Sequence, residues 1–143
     1  MLRSLFASSK RDFSSLSEQE ILALAIASEE DDARIYRAYA SILKQDYSAS
    51  AKIFDDMAEV EQTHRNMLID MHIRRFGDNI PLIRREHVSG FYDRKPDWLI
   101  KNLSLEKIRL QAELMEQQAA NFYDQAVARV SDADTRKLLG DLA

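Results

Sequence analysis

Four side chains with metal-binding chemistry interrupt the apolar patterns of three helical segments. Glu61 and His64 form a Glu-x-x-His pair, whose carboxylate and imidazole project from consecutive turns of one helix. Glu29 and Glu116 each lie between apolar positions of two other segments. Burying such carboxylates without positive charge costs several kcal/mol each. The pattern therefore predicts that Glu29, Glu61, His64 and Glu116 converge on a pair of divalent cations.

A weak internal repeat accompanies these residues. Glu29 is followed seven residues later by Tyr36, and Glu116 is followed at the same spacing by Tyr123. Seven residues return to nearly the same angular position after two helical turns. The two segments therefore look like copies of one half of a helical bundle.

Each of these features has an ordinary structural interpretation when it is taken alone. A single Glu-x-x-His pair is common on solvated helix faces, and single tyrosines usually pack in a core. The acidic run 29–32 fits a charged surface with one member facing inward. Their occurrence together, in register with the apolar pattern, favours metal ligation. We expect Glu30 and Glu59 to point away, Glu113 to be at most an additional carboxylate, and His72 and His87 to have no role at the site.

Composition limits the chemistry further. The chain has 143 residues, 20 Lys and Arg, 24 Asp and Glu, and no cysteine, which predicts one domain of net charge −4. Without a basic cluster we expect no nucleic-acid partner. Without cysteine, a metal must be bound by carboxylates and imidazoles, a donor set that suits iron, or alternatively manganese, better than zinc.

Glycine and proline are scarce outside one central stretch, and this predicts long helices. We expect a lead-in over 1–16 and one domain over 17–143, which is an all-α four-helix bundle. Its helices are predicted at about 17–45, 48–76, 105–130 and 132–143, with a long connection over 77–104. Ser17 and Glu20 form a capping-box pattern at the first helix. Its predicted inward-facing residues are Leu22, Ala25, Ile26, Ala33, Tyr36, Ala40 and Leu43.

No segment of the sequence predicts a membrane span or an export signal. The longest apolar run, residues 21–27, is much shorter than the roughly 20 residues that cross a bilayer. Residues 1–11 are mildly basic but lack the apolar core of a signal peptide. A cytoplasmic location is therefore expected for this chain.

In the segments that carry the candidate ligands, the chain resembles the rubrerythrin branch of the ferritin-like superfamily. It is more closely similar to the N-terminal domain of bacterial membrane-bound ferritins, in which an erythrin domain is fused to a vacuolar-iron-transporter domain. The resemblance covers residues 16–26, 29–36, 59–64 and 80–86. The last of these, Ile-Pro-Leu-Ile-Arg-Arg-Glu, is the most specific to that family.

The resemblance implies a di-iron site that oxidises ferrous iron with dioxygen or peroxide, which is a ferroxidase activity. It also implies a membrane transporter domain that exports iron, with the present domain on the cytoplasmic side of the inner membrane. Glu29, Glu61, His64 and Glu116 would be ligands, with Tyr36 and Tyr123 hydrogen-bonded around them.

The chain departs from the family pattern in one respect. A second Glu-x-x-His is expected on the fourth helix, and alignment with residues 54–58 places it after Ala143. We therefore expect a truncated fourth helix and partial metal occupancy. The lack of cysteine also removes the rubredoxin electron relay of peroxidase rubrerythrins.

Two other functions remain compatible with the sequence. The bundle could bind iron without turnover, as an iron-responsive dimerisation or gating module. It could also be a metal-free helical interaction domain. In each case an unfinished fourth helix exposes apolar surface, which favours a homodimer formed by helix exchange through the long connection.

Overall fold

The computed structural model describes residues 10–89 and 104–143, and these form an all-α bundle. The prediction of the fold class is confirmed, and the helix boundaries lie within two residues of the predicted ones. The helices are α1 (Glu18–Leu43), α2 (Ser48–Phe76), α3 (Leu105–Arg129) and α4 (Ala133–Leu142). Because α1 and α2 are joined by a short turn, they pack as antiparallel neighbours, and α4 packs against α3 and α2.

The N-terminus of α1 carries the predicted capping box. Ser17 Oγ accepts a hydrogen bond of 3.1 Å from the backbone N–H of Glu20, and Glu20 Oε1 accepts one of 3.0 Å from Ser17. Glu20 also forms an ion pair with Arg11. The two capping hydrogen bonds satisfy backbone N–H groups that have no partner within the helix. By contrast, the N-cap residue of α2 is Tyr47, whose side chain forms no capping hydrogen bond.

Replacing the capping serine should measurably destabilise the domain. We expect Ser17→Ala to lower the free energy of unfolding by about 1 kcal/mol, because one helix N–H loses its acceptor. Urea denaturation followed by circular dichroism measures this loss. Ser41→Ala, at an exposed position in the last turn of the same helix, is the control and should change stability by less than about 0.5 kcal/mol. Equal losses of stability in the two variants would contradict a capping role.

The core follows the predicted apolar pattern. Every residue predicted to face inward on α1 is buried. Large buried residues outside that predicted set include Tyr39 on α1 and Met115 and Phe122 on α3. One core cluster lies around Leu24, Leu68 and Phe122, and a second lies around Tyr36, Phe54 and Ile108. The candidate ligands of α1 and α2 lie between these clusters along the helices.

Parts of the lead-in and of the long connection pack onto the bundle. Phe13 and Leu16 are buried in the core, so the residues before α1 form part of the hydrophobic core as well as leading into the helix. Strand β1 (Arg11–Asp12) pairs in parallel with strand β2 (Val88–Ser89) of the connection. Residues 1–9 of the predicted lead-in and 90–103 of the predicted connection lie outside the described residues.

A polar cluster joins three helices at one end of the bundle. Arg75 Nη1, near the end of α2, donates hydrogen bonds of 3.1 Å to Glu18 on α1 and to Thr135 on α4. Ser131 donates a 2.8 Å hydrogen bond to Glu18. Asp132 caps α4 by accepting a hydrogen bond from the backbone of Thr135. These contacts set the direction in which α4 begins.

Candidate metal centre

Three of the four predicted ligands converge between α1 and α2. Glu29 projects from α1, and Glu61 and His64 project from consecutive turns of α2. Each offers one donor atom, and the three atoms lie within 4.8 Å of one another. His64 Nδ1 lies 3.7 Å from Glu29 Oε1. Two carboxylates and an imidazole at this separation can share one small cation.

The Glu29 carboxylate is the most enclosed of the three groups. Its residue is only 3% exposed, and the Tyr123 hydroxyl of α3 donates a hydrogen bond to Oε1. The other oxygen, Oε2, is buried, and none of the described N–H groups or hydroxyls donates to it. A buried carboxylate oxygen without a donor is costly unless a cation or a proton compensates it. The donor set and this oxygen together fit a divalent cation.

Burial and mutual repulsion make the two glutamates difficult to ionise. Burial raises the pKa of Glu29, although the hydrogen bond with Glu61 and that from Tyr123 oppose this shift. Burial also raises the pKa of Glu61, to about 10, and the hydrogen bond with Glu29 and its negative charge add to the effect. Without a metal, these shifts favour one proton held by the pair of carboxyl groups. A bound cation would replace that proton.

These pKa shifts predict how the metal-free protein responds to pH. In the native state Glu61 keeps its proton, whereas in the unfolded state it loses that proton above about pH 4.5. The free energy of unfolding should therefore fall as pH rises from there toward about 10. Glu61→Gln stays neutral, so its melting temperature in chelator should fall less between about pH 6 and pH 8. At about pH 8 it should exceed that of the native chain by about 3 °C.

The control for this titration is Glu59→Gln, which alters an exposed glutamate of the same helix. Thermal denaturation of the three proteins, followed by circular dichroism in chelator, compares their pH dependence. Glu59→Gln should retain the dependence of the native chain. An equally steep loss of stability in Glu61→Gln would contradict the raised pKa of Glu61.

Glu116, the fourth predicted ligand, is placed differently. It lies on α3, is exposed, and does not belong to the group of three donors. It nevertheless lines a cavity of about 190 Å³ together with Glu29, Glu61 and His64. Its ligation therefore stays a prediction.

The two predicted tyrosines both reach the same cavity. Tyr36 is buried, lines the cavity and packs its ring against Phe54 with 6.0 Å between ring centroids. Tyr123 lines the cavity from α3 and donates to Glu29. The hydroxyl of Tyr123 therefore orients the carboxylate through which α1 would bind a metal.

Sequence analysis missed two charged residues beside the site. Asp32 is buried and lines the cavity, and the buried Arg85 donates a 2.8 Å hydrogen bond to it. The i, i+3 spacing from Glu29 to Asp32 is a signal that the two share a helix face. The acidic run therefore has two inward members rather than one. No local signal identifies Arg85, because its partner lies 53 positions earlier.

The two histidines without an assigned role lie away from the three donors. His72 is buried, and its Nδ1 lies 3.0 Å from the carbonyl oxygen of Gly77, the C-cap of α2, where the backbone has φ of 89°. Glycine adopts this conformation without strain. His87 Nδ1 accepts a hydrogen bond from the backbone N–H of Arg84. Both contacts stabilise turns of the connection.

Comparison with known families agrees with this architecture. The rubrerythrin family model matches residues 20–143, which include nearly all of α1 and the whole of the other three helices. The chain belongs to the rubrerythrin family. Searches of curated proteins and of solved structures each returned no significant match. The rubrerythrin match includes every predicted ligand, together with Asp32 and Arg85.

Proposed function

We propose that this rubrerythrin-family domain binds iron, with manganese as an alternative, through Glu29, Glu61 and His64. The observation that supports the proposal best is the buried Glu29 Oε2, to which no described N–H group or hydroxyl donates and which lies beside a second carboxylate and an imidazole. Compensating positive charge is what such a group requires. Glu116 of α3 is the proposed further ligand, and with it the chain supplies four ligands of the expected di-iron site.

The protein groups around the donors have distinct tasks in this proposal. Iron, when bound, supplies one-electron chemistry toward dioxygen or peroxide. Tyr123 fixes the orientation of Glu29 by hydrogen bonding, and Tyr36 covers the cavity with an aromatic ring. Glu29 and Glu61 release their shared proton when a cation enters, so affinity should increase with pH. None of these residues acts as a nucleophile.

Beyond metal binding, we propose a ferroxidase activity that serves a membrane-bound iron exporter. Support comes from the resemblance of residues 80–86 to bacterial membrane-bound ferritins. Within residues 10–89 and 104–143, no helix combines the length and the apolarity needed to cross a bilayer. The transporter domain and a place at the cytoplasmic face of the inner membrane are therefore parts of this proposal alone.

Two measurements on the same preparation test this function. Equilibrium dialysis against Fe(II) without oxygen measures binding, and we expect iron to be retained by the native chain. Stopped-flow absorbance after mixing with aerobic buffer then measures oxidation, which we expect to be faster than in buffer alone. Retained iron with no faster oxidation would instead support a binding-only gating module. No retained iron would contradict the proposal and favour a metal-free interaction domain.

We also propose that the domain forms a homodimer. The side chains of Ile53 and Val60 on α2 are exposed, and with Met57 they line a cavity of about 290 Å³ that reaches Glu61 and Glu116. Apolar surface beside a polar site favours association with a second apolar surface. Size-exclusion chromatography with light scattering should give twice the mass of the chain. A clean monomer at micromolar concentration would contradict this proposal.

A further inference from the structure

A buried salt bridge adjoins the candidate metal centre. Arg85, in the connection after α2, is 7% exposed, and Asp32 on α1 is 4% exposed. Arg85 Nη1 donates a 2.8 Å hydrogen bond to Asp32 Oδ1, and Nη2 lies 3.6 Å from Asp31. Asp32 lines the same cavity as Glu29 and Glu61. A permanent cation of the protein therefore pairs with a carboxylate that lines the cavity of the candidate metal centre.

The charges of Asp32 and Arg85 affect the pKa values of the proposed carboxylate ligands. The negative charge of Asp32 raises the pKa of Glu29 and of Glu61, and the positive charge of Arg85 lowers that of Glu29. A guanidinium stays protonated at every pH in which the protein is folded. Its compensation of Asp32 is therefore constant, whatever the protonation state of the donors.

We propose that Arg85 is an internal counter-cation that engages Asp32 and thereby limits the affinity of the neighbouring site for divalent metal ions. The inference rests on the proposed metal-binding function of that site. Arg85 pairs with Asp32, and a bound metal ion would be held by Glu29 and Glu61, which line the same cavity as Asp32. Positive charge supplied by the protein stabilises the metal-free state and repels the metal, whereas removing it leaves the carboxylate of Asp32 to attract the metal.

This role and a purely structural role predict opposite signs. If Arg85 only anchored the connection to α1, its loss would loosen the site and weaken metal binding. If it acts as a counter-cation, its loss weakens the metal-free fold but strengthens metal binding. Coupling between two neighbouring binding events commonly amounts to about fivefold or more in affinity.

Isothermal titration with Mn(II), which is stable in air, distinguishes the two roles. We expect Arg85→Met to bind Mn(II) about fivefold more tightly than the native chain, and Arg85→Lys to restore affinity to within about twofold. Arg84→Met is the matched control. Its guanidinium is partly exposed and lies 3.6 Å from Asp31, which does not line the cavity, so affinity should change by less than about twofold.

A double substitution tests whether Asp32 carries the effect. In Asp32→Asn combined with Arg85→Met, both charges are absent, and affinity should return to about the native value. Asp32→Asn alone removes the closest negative charge that compensates the guanidinium, so it should bind Mn(II) about fivefold more weakly. This near-isosteric variant tests the proposal even if Arg85→Met does not fold. Unchanged binding in Asp32→Asn, or weaker binding in a folded Arg85→Met protein, would overturn the proposal.

Failure of the counter-cation and failure of the metal site give different results. If His64→Ala abolishes Mn(II) binding and the variants of Arg85 and Asp32 leave it unchanged, the counter-cation is refuted and the site stands. If the native chain itself binds neither Mn(II) nor Fe(II), both proposals are refuted.

Discussion

Replacing Glu29 by glutamine should weaken the binding of divalent metal by at least about 100-fold. Losing a hydrogen-bond partner of a metal ligand typically lowers metal affinity by about 10- to 100-fold. Glu29 is itself a proposed ligand, so its loss should have a larger effect. Glu29 also contacts His64 of α2 and accepts a hydrogen bond from Tyr123 of α3, so it lies at the centre of the site. Mn(II) titration calorimetry measures the loss.

This substitution separates loss of the site from loss of the fold. Because Glu29 is 3% exposed and burial raises its pKa, a neutral amide at this position removes an electrostatic penalty from the metal-free protein. The melting temperature of Glu29→Gln in chelator should therefore not fall. Glu59→Gln, on an exposed face of α2, is the chemical control and should retain native affinity. Equal metal affinity in the two variants would contradict ligation by Glu29.

Replacing Phe122 by alanine should give the largest loss of stability, about 4 kcal/mol. Phe122 is fully buried on α3, and its ring packs edge-on against Phe13 and Tyr123, with centroid distances of 5.8 and 5.2 Å. Truncation leaves a cavity between Phe13, in the segment before α1, and Tyr123 of α3. Urea denaturation measures the change in the free energy of unfolding.

The control for this cavity is Leu110→Ala on the same helix. Leu110 is 60% exposed, so its truncation should change the free energy of unfolding by less than about 0.5 kcal/mol. Both substitutions raise helix propensity slightly, so the difference between them reports packing. A loss below about 1 kcal/mol in Phe122→Ala would show that the core around Phe13 is not formed as described.

The helices could be predicted because their signals are local. The capping box at Ser17 and the apolar period of α1 depend on residues within a few turns of one another. The spacing of Glu61 and His64 likewise required only that α2 be helical. The approach of Glu29 to this pair followed from the antiparallel packing of two long helices joined by a short turn.

The parts that could not be predicted depend on contacts between distant segments. Arg85 and Asp32 meet because the connection folds back over α1, and no periodic pattern marks that return. Phe13 becomes a core residue because β1 pairs with β2, which are only two residues each. Periodicity predicted that Glu116 faces inward on α3, whereas its side chain is exposed at the border of the cavity.

The central claim is that Glu29, Glu61 and His64 bind one metal ion together. Crystals grown with Mn(II) and measured near the manganese absorption edge locate the ion directly by its anomalous scattering. We expect a peak within about 2.3 Å of an oxygen of each glutamate and of a ring nitrogen of His64. A fully ordered cavity with no anomalous peak between α1 and α2 would contradict the claim, as would a peak that contacts none of these side chains.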